Sequence, residues 1–291
     1  MNSSATLTDR YPTRLPEAGA VMDRPDPVVW PGRDGPWDDE AVNFFGDNGY
    51  RTVEDVLDTP DLAQVRSEID RLATELGDDE RLIRESSNGD VRSIFSVHTL
   101  STEIARIIAR DDVAGVARQL LGDDVYVHQS RVNLKPGFAG GPFYWHSDFE
   151  TWHAEDGMPT PRAVSVSLAL TPNTRFNGPL MILPGSHRRF VPCVGETPGD
   201  YHRESLKSYR PPFGTPEESD IAAMAQQYGI TQVTGGAGSA LYFDCNCLHA
   251  SAGNISPFPR SNLFVVFNAV SNALEEPFAA RSRRPDYLAA R

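Results

Sequence analysis

The chain has 291 residues, a net charge of −13 and a sequence pI near 4.9. This acidity argues against nucleic acid or an anionic membrane as a partner, and the length is enough for one large β domain. Three cysteines are too few for a disulfide framework, and the N-terminus has no apolar signal-peptide segment. No apolar run approaches the ~18 residues of a membrane span. We therefore expect a soluble, cytoplasmic protein with reduced thiols.

The first part of the chain, residues 1–124, predicts an irregular arm followed by helices. The arm, residues 1–37, is rich in Pro, Asp and Arg and shows no apolar period. Beyond it, apolar residues recur every three or four positions, as on one face of a helix. Four helices are predicted, at residues 38–49, 60–76, 102–110 and 112–121. Residues 86–98 are ambiguous, with an extended segment as one alternative.

An apolar period of two begins at residue 125, and it predicts strands. The predicted strands cover residues 125–135, 145–148, 163–170, 180–183, 240–243 and 262–270. Many short strands separated by turn sequences predict a mainly β fold with flanking α-helices. Its core, over residues 125–291, should be a jelly-roll or cupin-like sandwich, and we expect residues 1–291 to form a single domain.

Two neighbouring side chains are the first candidates for a metal site. His146 and Asp148 are one residue apart on a predicted strand, where residues i and i+2 point to the same face. They can therefore present an imidazole and a carboxylate to one metal ion. His249, which follows the apolar strand 240–243, offers a third ligand. Two histidines and one carboxylate leave open coordination positions, as in non-haem Fe(II) oxygenases.

An arginine downstream of His249 suits the co-substrate of such an oxygenase. A 2-oxoacid can chelate the metal through its carboxylate and keto oxygen, which leaves one position for O₂. The far carboxylate of 2-oxoglutarate then needs a cation. Arg260, eleven residues after His249, can meet a carboxylate with two parallel hydrogen bonds. Ser251 can add a hydroxyl donor.

The other histidines near this region suit different roles. His153 follows Trp152 in an acidic loop, which favours the wall of a substrate pocket. His187 lies in a Pro-Gly-Ser-His turn, where a structural hydrogen bond is expected.

Polar and small residues occupy one face of two predicted strands. In Val125–Lys135 that face either meets solvent or lines a polar cavity, and it carries Gln129, Arg131, Asn133 and Lys135. In strand 163–170 the small face leaves room for a ligand, and it carries Ala163, Ser165, Ser167 and Ala169. Residues 188–233 break the strand pattern, which predicts either a mobile lid or a variable surface loop.

Two motifs resemble those of a known family. Residues 143–159, FYWHSDFETWHAEDGMP, resemble the signature of the ectoine hydroxylases, a branch of the phytanoyl-CoA dioxygenase-like Fe(II)/2-oxoglutarate enzymes. Residues 177–187, NGPLMILPGSH, resemble a motif of the wider superfamily. The resemblance extends over nearly the whole chain. It implies a double-stranded β-helix core.

The same resemblance implies roles for individual residues. The implied iron ligands are His146, Asp148 and His249. The implied 2-oxoglutarate site consists of Phe143, Asn133, Lys135, Ser251 and Arg260. The implied substrate contacts are Gln129 and Trp152, to which we add Ser167 and a C-terminal arginine, taken as Arg284 rather than Arg281 or Arg283. The polar face of Val125–Lys135 would then look inward.

These contacts match the chemistry of ectoine, a small cyclic zwitterion. The indole of Trp152 can accept its amidinium, Gln129 can bond a ring nitrogen, and an arginine can bind its carboxylate. The expected reaction hydroxylates ectoine to 5-hydroxyectoine, with Fe²⁺ as cofactor and 2-oxoglutarate and O₂ as co-substrates, and releases succinate and CO₂. A small-molecule substrate is the expected partner, and a homodimer is a candidate assembly.

Two alternatives remain open. One is a related oxygenase acting on another small metabolite, such as a proline-like or acyl compound. The other is a non-oxygenase cupin that binds Zn²⁺ or another divalent ion. Arg260 argues against the plain metal cupin, which needs no anchor for a co-substrate. Trp152 and Gln129 argue against an acyl-CoA substrate.

Overall fold

The computed structural model describes residues 9–85 and 89–291. Its α-helices are α1 Asp39–Asn48, α2 Thr59–Glu75, α3 Val97–Leu100, α4 Thr102–Ile108, α5 Val116–Leu121, α6 Asp148–Thr151, α7 His202–Ser205 and α8 Glu218–Tyr228. A π-helical turn, Asp111–Gly115, leads into α5, and another, Trp152–Asp156, follows α6. Among the described residues no helix is both long and apolar enough to cross a membrane.

The strands form two main antiparallel sheets and one short pair. They are β1 Met22–Asp23, β2 Tyr50–Val53, β3 Leu82–Arg84, β4 Val91–Phe95, β5 Val125–Lys135, β6 Phe143–His146, β7 Ala163–Ala169, β8 Leu180–Ile182, β9 Arg189–Phe190, β10 Thr231–Gln232, β11 Ala240–Asp244, β12 His249–Ser251 and β13 Arg260–Ala269. The larger sheet has the order β2-β11-β7-β13-β5-β4-β3, and the smaller has the order β10-β8-β12-β6. Strands β1 and β9 form the short pair.

The alternation of side chains along the strands decides what each sheet face covers. On β7, Val164, Val166 and Leu168 point outward and join the main apolar core with helices α1, α2, α4 and α5. On the inner face, apolar residues from both main sheets meet in one cluster, which includes Leu180, Ile182, Leu241, Phe243 and Phe264. The helices therefore cover the outside of the larger sheet, and the two sheets close around the inner face. This is the mainly β, jelly-roll core predicted from the sequence.

The predicted helices are confirmed, with one local difference. Helix α1 begins after Asp38, whose carboxylate accepts a hydrogen bond from the Ala41 amide at 2.8 Å, and ends at Gly49, whose φ is 77°. Helix α4 lies within its predicted range, and α2 starts at Thr59, one residue before its own. The helix predicted at 112–121 starts as the π-helical turn and becomes α-helical at Val116. In the ambiguous range 86–98, residues 86–88 lie outside the described residues, and β4 and the start of α3 occupy the rest.

The prediction that Asp148 continues a strand is wrong. Strand β6 ends at His146, and Asp148 is the first residue of α6. Ser147 begins the helix because its hydroxyl oxygen accepts a hydrogen bond from the Glu150 amide at 3.4 Å. The acidic loop predicted at Trp152 and His153 is also helical, since α6 runs into the π-helical turn before Gly157.

The arm and the insertion at 188–233 lie side by side. Besides the β1–β9 pair, Leu15 forms a parallel bridge with Val194. The insertion is less irregular than its composition predicts, because it contains β9, α7, α8 and β10.

Candidate active site

Two histidines face each other across neighbouring strands of the smaller sheet. His146 on β6 and His249 on β12 are direct partners in the antiparallel register, and their ring centroids are 4.3 Å apart. The register shifts after His249, so that Ser251 lies opposite Phe143. The strand pairing thus fixes both imidazoles at one edge of the inner face.

Asp148 completes a cluster of three metal-ligating side chains. Its Oδ1 lies 3.6 Å from His146 Nε2, and its Oδ2 lies 3.8 Å from His249 Nε2. One ligand atom from each residue lies within 4.8 Å of the other two. The sequence prediction that these three side chains meet at one point therefore agrees with the geometry, although Asp148 comes from a helix.

Hydrogen bonds orient both imidazoles toward the same point. His146 Nδ1 lies 2.7 Å from the Tyr144 carbonyl oxygen, and His249 Nδ1 lies 2.9 Å from the Cys247 carbonyl oxygen. A carbonyl only accepts, so each Nδ1 carries the proton and each Nε2 keeps its lone pair for a metal. This donor set fits a divalent iron ion.

The electrostatics of the cluster favour the protonation states that metal ligands need. Burial, with help from His146, lowers the pKa of His249 to about 4. Burial alone would raise the pKa of the Asp148 carboxyl, but His249 and His146 outweigh it and hold that pKa below its usual range. At neutral pH the aspartate is ionised and His249 is neutral.

A small cavity opens beside this cluster. It is lined by Arg131, Asn133, Phe143, His146, Leu180, His249, Ala250, Ser251, Arg260 and Phe264. Arg260 is 2% exposed, and its Nε and one Nη have no hydrogen-bond partner within the described part of the chain. Burial and nearby Arg131 lower the pKa of Arg260 to about 10, which leaves it a cation at neutral pH. A buried guanidinium with unpaired donors fits a carboxylate ligand.

Of the other predicted co-substrate residues, Asn133, Phe143 and Ser251 line the same cavity, and Lys135 is hydrogen-bonded to Ser251. Lys135 Nζ donates to Ser251 Oγ at 2.9 Å and to the Ala252 carbonyl at 2.5 Å. The Ser93 hydroxyl donates to Asn133 Oδ1 at 2.7 Å. Burial, followed by Arg260, lowers the pKa of Lys135 to about 6.

A larger cavity, with about 770 Å³ of empty space, adjoins the first. Both cavities are bordered by Arg131, Phe143 and His146, and the larger one is also lined by Tyr201, Tyr209 and Phe213 of the insertion. Sequence reasoning placed Arg131 on the polar face of β5 without assigning it a role. Its position between Gln129 and Asn133 on that face was the available signal. Arg14 and Arg92 also border this cavity, and nothing in their local sequence indicated it.

The four predicted substrate residues already have partners within the protein. Gln129 Nε2 donates to the Leu288 carbonyl at 2.7 Å, and Ser167 Oγ accepts from Asn262 at 2.8 Å. Trp152 is 3% exposed, with its ring 5.1 Å from that of His128. Arg284 makes two hydrogen bonds to Asp156, at 2.7 and 2.6 Å. None of the four lines either cavity, so their substrate roles stay predictions.

The two remaining histidine predictions have different outcomes. His187 makes the expected structural hydrogen bond, with its Nε2 3.1 Å from the Gly46 carbonyl oxygen. His153 does not border either cavity, contrary to the predicted pocket wall. It is buried, with Nδ1 2.8 Å from the Met158 carbonyl oxygen and Nε2 3.0 Å from Asp9 Oδ1.

An antiparallel jelly roll that presents two histidines and one carboxylate at a cavity defines the class of mononuclear non-haem iron oxygenases. The family model described as phytanoyl-CoA dioxygenase (PhyH) matches residues 45–262. The ectoine dioxygenase of Nocardia farcinica is 54% identical, covering 97% of this chain and 94% of the relative. That of Streptomyces coelicolor is 47% identical, covering 99% and 97%. The chain therefore belongs to the phytanoyl-CoA dioxygenase family, on its ectoine dioxygenase branch.

Solved structures agree with this placement. The crystal structure of EctD from S. alaskensis with 2-oxoglutarate and 5-hydroxyectoine has a TM-score of 0.85 and 42% identity, covering 97% of this chain and 95% of that one. The same enzyme with bound Fe has a TM-score of 0.84 and 43% identity, covering 97% and 94%. The epimerase SnoN, at 20% identity and a TM-score of 0.62 over 82% of this chain and 86% of its own, shares the fold alone.

Proposed function

We propose that the protein is an Fe(II)- and 2-oxoglutarate-dependent dioxygenase that hydroxylates ectoine to 5-hydroxyectoine, with release of succinate and CO₂. The observation that carries this is the cluster of His146, Asp148 and His249 at one end of a cavity that also holds the buried, unpaired donors of Arg260. The relatives named ectoine dioxygenase and the EctD structures with Fe, 2-oxoglutarate and 5-hydroxyectoine support the same reaction.

In this proposal the three clustered side chains hold the iron. His146 and His249 bind it through Nε2, because both Nδ1–H groups are bonded to backbone carbonyls. Asp148 supplies the anionic ligand and neutralises part of the metal charge. When bound, iron and 2-oxoglutarate supply the oxidising chemistry, while the protein orients the reactants and excludes water.

Arg260 binds the far carboxylate of 2-oxoglutarate in the proposed site. Arg260 is the first residue of β13 and is buried, so the pair that its guanidinium forms is shielded from solvent. Ser251 and Lys135 are hydrogen-bonded to each other and add donors for the same carboxylate. Phe143 and Asn133 form the side walls.

The proposed ectoine contacts are Trp152, Gln129, Ser167 and Arg284. A substrate carboxylate that reaches Arg284 has to share the guanidinium with Asp156, which already takes two of its donors. The Leu288 carbonyl holds the Gln129 amide nitrogen, which leaves the amide oxygen to accept from a substrate N–H.

We also propose that the chain forms one domain and that residues 188–233 act as a lid. The support is that Tyr201, Tyr209 and Phe213 of this insertion line the larger cavity, which is also lined by His146. Hydrogen exchange measured with and without iron, 2-oxoglutarate and ectoine tests the lid. Protection should increase within 188–233, and unchanged protection throughout would make it a surface loop.

A cytoplasmic location and a homodimer complete the proposal. The shortage of cysteines for disulfides supports the location. Fractionation of the native host addresses the first point, and light scattering of the purified protein addresses the second.

The proposed reaction is tested by a panel of substrates. Purified iron-loaded protein is incubated with 2-oxoglutarate and, separately, ectoine, proline and an acyl-CoA, and both succinate release and product mass are followed. Ectoine should be converted to a product one oxygen heavier, with matching succinate. Conversion of another metabolite with ectoine left unmodified would make the ectoine assignment wrong and keep the oxygenase class.

A further inference from the structure

A buried ion pair links the N-terminal arm to the helix that carries Asp148. Arg14 Nε donates to Glu150 Oε1 at 2.7 Å, and one Nη donates to Glu150 Oε2 at 3.0 Å. Both side chains are 1% exposed. The neighbouring Thr13 hydroxyl also donates to Glu150 Oε1, at 2.6 Å. A fully buried two-point contact of this kind fixes the relative position of two chain segments more strictly than a surface pair.

Glu150 is the third residue of α6, and Asp148 is the first. Helix α6 and the π-helical turn that follows it cover only residues 148–156, and a helical stretch this short depends on contacts with the rest of the protein for its position. One contact is the Phe149 amide, which donates to the Cys245 carbonyl at 2.9 Å. The other is Glu150, anchored by Arg14. These two anchors act together with the Ser165 hydroxyl, which donates directly to Asp148 Oδ2 at 3.4 Å, to place the Asp148 carboxylate.

Arg14 is itself held from several directions. One Nη donates to Thr197 Oγ1 of the insertion at 3.0 Å, and the other donates to Glu155 Oε1 of the π-helical turn at 3.1 Å. A Cβ added to Gly214 would clash with an Arg14 Nη, so the insertion packs directly against the guanidinium. The backbone of Arg14 has φ 56°, a conformation that a non-glycine residue keeps only where its surroundings enforce it.

We propose that Arg14 is a positioning residue for Asp148, acting through Glu150, and that it joins the arm and the insertion to the geometry of the iron site. This role rests on the proposed function of Asp148 as an iron ligand. In this role Arg14 acts through Glu150 and is not itself an iron ligand. The alternative is an ion pair that stabilises the fold without affecting the metal.

Single and double substitutions can separate the positioning role from a purely stabilising one. Arg14→Met alone would leave the buried Glu150 carboxylate without its cation and is expected to unfold the region. The double variant Arg14→Met/Glu150→Gln removes both charges and keeps the side-chain volumes. Arg14→Lys keeps the charge and loses the two-point contact. The matched control is Arg71→Met/Glu75→Gln, which removes an exposed Arg–Glu pair on α2.

Three quantities are measured on each protein. They are the iron dissociation constant by competition with a chelator, the anaerobic absorption band of the iron–2-oxoglutarate complex, and the unfolding temperature. The positioning role predicts that the double variant and Arg14→Lys bind iron about tenfold more weakly and shift the band, while the control matches the parent protein. Should the double variant fail to fold, Arg14→Lys alone decides the question.

Iron affinity and an absorption band equal to those of the parent protein in the folded variants would overturn the positioning role, even if the unfolding temperature falls. Asp148→Ala is measured alongside them. If it kept its iron, the proposed iron site would be contradicted, and the positioning role with it. Loss of iron in Asp148→Ala with full affinity in Arg14→Lys would leave the site intact and reject Arg14 alone.

Discussion

His146 and His249 are direct partners in the antiparallel pairing of β6 with β12, with their rings 4.3 Å apart. Antiparallel pairing brings two distant segments of the chain together with a register defined to the residue. Because each imidazole is also hydrogen-bonded to a backbone carbonyl, its Nε2 is aimed before a metal arrives. The positions and orientations of the two histidines in the candidate iron site are therefore determined largely by the backbone.

Replacing any one member of the cluster should remove the metal. His146→Ala, Asp148→Ala and His249→Ala should each retain less than about a tenth of the iron of the parent protein, because two remaining ligands cannot hold the ion tightly. Metal analysis after desalting measures this. His98→Ala, which alters a histidine hydrogen-bonded to Ser130 outside the cluster, is the control. Full iron occupancy in one of the three variants would remove that residue from the ligand set.

Arg260→Ala should weaken 2-oxoglutarate binding far more than ectoine binding. Losing one side of a buried, charge-assisted contact costs about 2–5 kcal/mol. The ligand-free variant should not be less stable than the parent protein, since the change removes a buried cation with unpaired donors. Calorimetry with each ligand and thermal unfolding with and without 2-oxoglutarate give the comparison. Equal losses for the two ligands would reject the assignment.

Binding of 2-oxoglutarate should take up a proton at Lys135. Burial and Arg260 lower the pKa of Lys135 to about 6, so the amine is neutral in the ligand-free protein above that pH. A bound carboxylate raises this pKa, because it favours the charged amine. Affinity for 2-oxoglutarate should then fall as pH rises above about 6. Calorimetry at about pH 8 in buffers of different ionisation enthalpy measures the uptake. Lys135→Met should abolish it, and an identical uptake in that variant would place the proton elsewhere.

Replacing Trp152 should weaken ectoine binding and leave 2-oxoglutarate binding unchanged. Because the side chain is 3% exposed, Trp152→Ala is expected to destabilise the protein by about 3–5 kcal/mol. Trp152→Leu keeps more of the packing and removes the aromatic face, at a cost of about 1–2 kcal/mol in ectoine binding. The ectoine affinity of Trp152→Phe should lie between that of Trp152→Leu and that of the parent protein. If Trp152→Leu and Trp152→Phe bind ectoine as tightly as the parent protein does, the indole does not contact the substrate cation.

The sequence was most informative where local pattern and chemistry coincide. The alternation along Val125–Lys135 predicts the observed strand and the face that carries Asn133 and Lys135. The metal cluster was found from residue types and spacing. The placement of Asp148 on a strand was wrong because Ser147 caps a helix there, and that helix is held by the distant Cys245 carbonyl. A contact between residues so far apart in the chain cannot be predicted from the local sequence.

Ion pairs between residues far apart in the chain could not be predicted from the sequence for the same reason. Arg14 and Glu150 are 136 positions apart, and neither has a local motif that indicates the other. Arg284 was predicted to bind a substrate carboxylate, and the structure places it against Asp156, a carboxylate of the protein itself. The sequence shows that a buried arginine requires an anionic partner, but the partner's identity depends on the fold.

The most direct test of the central claim follows the oxygen atoms. Iron-loaded protein is supplied with ectoine, 2-oxoglutarate and isotopically labelled O₂, and the products are examined by mass spectrometry. The account predicts one labelled oxygen in succinate and one in 5-hydroxyectoine for each 2-oxoglutarate consumed. Succinate without label, or labelled succinate with ectoine recovered unchanged, would contradict it.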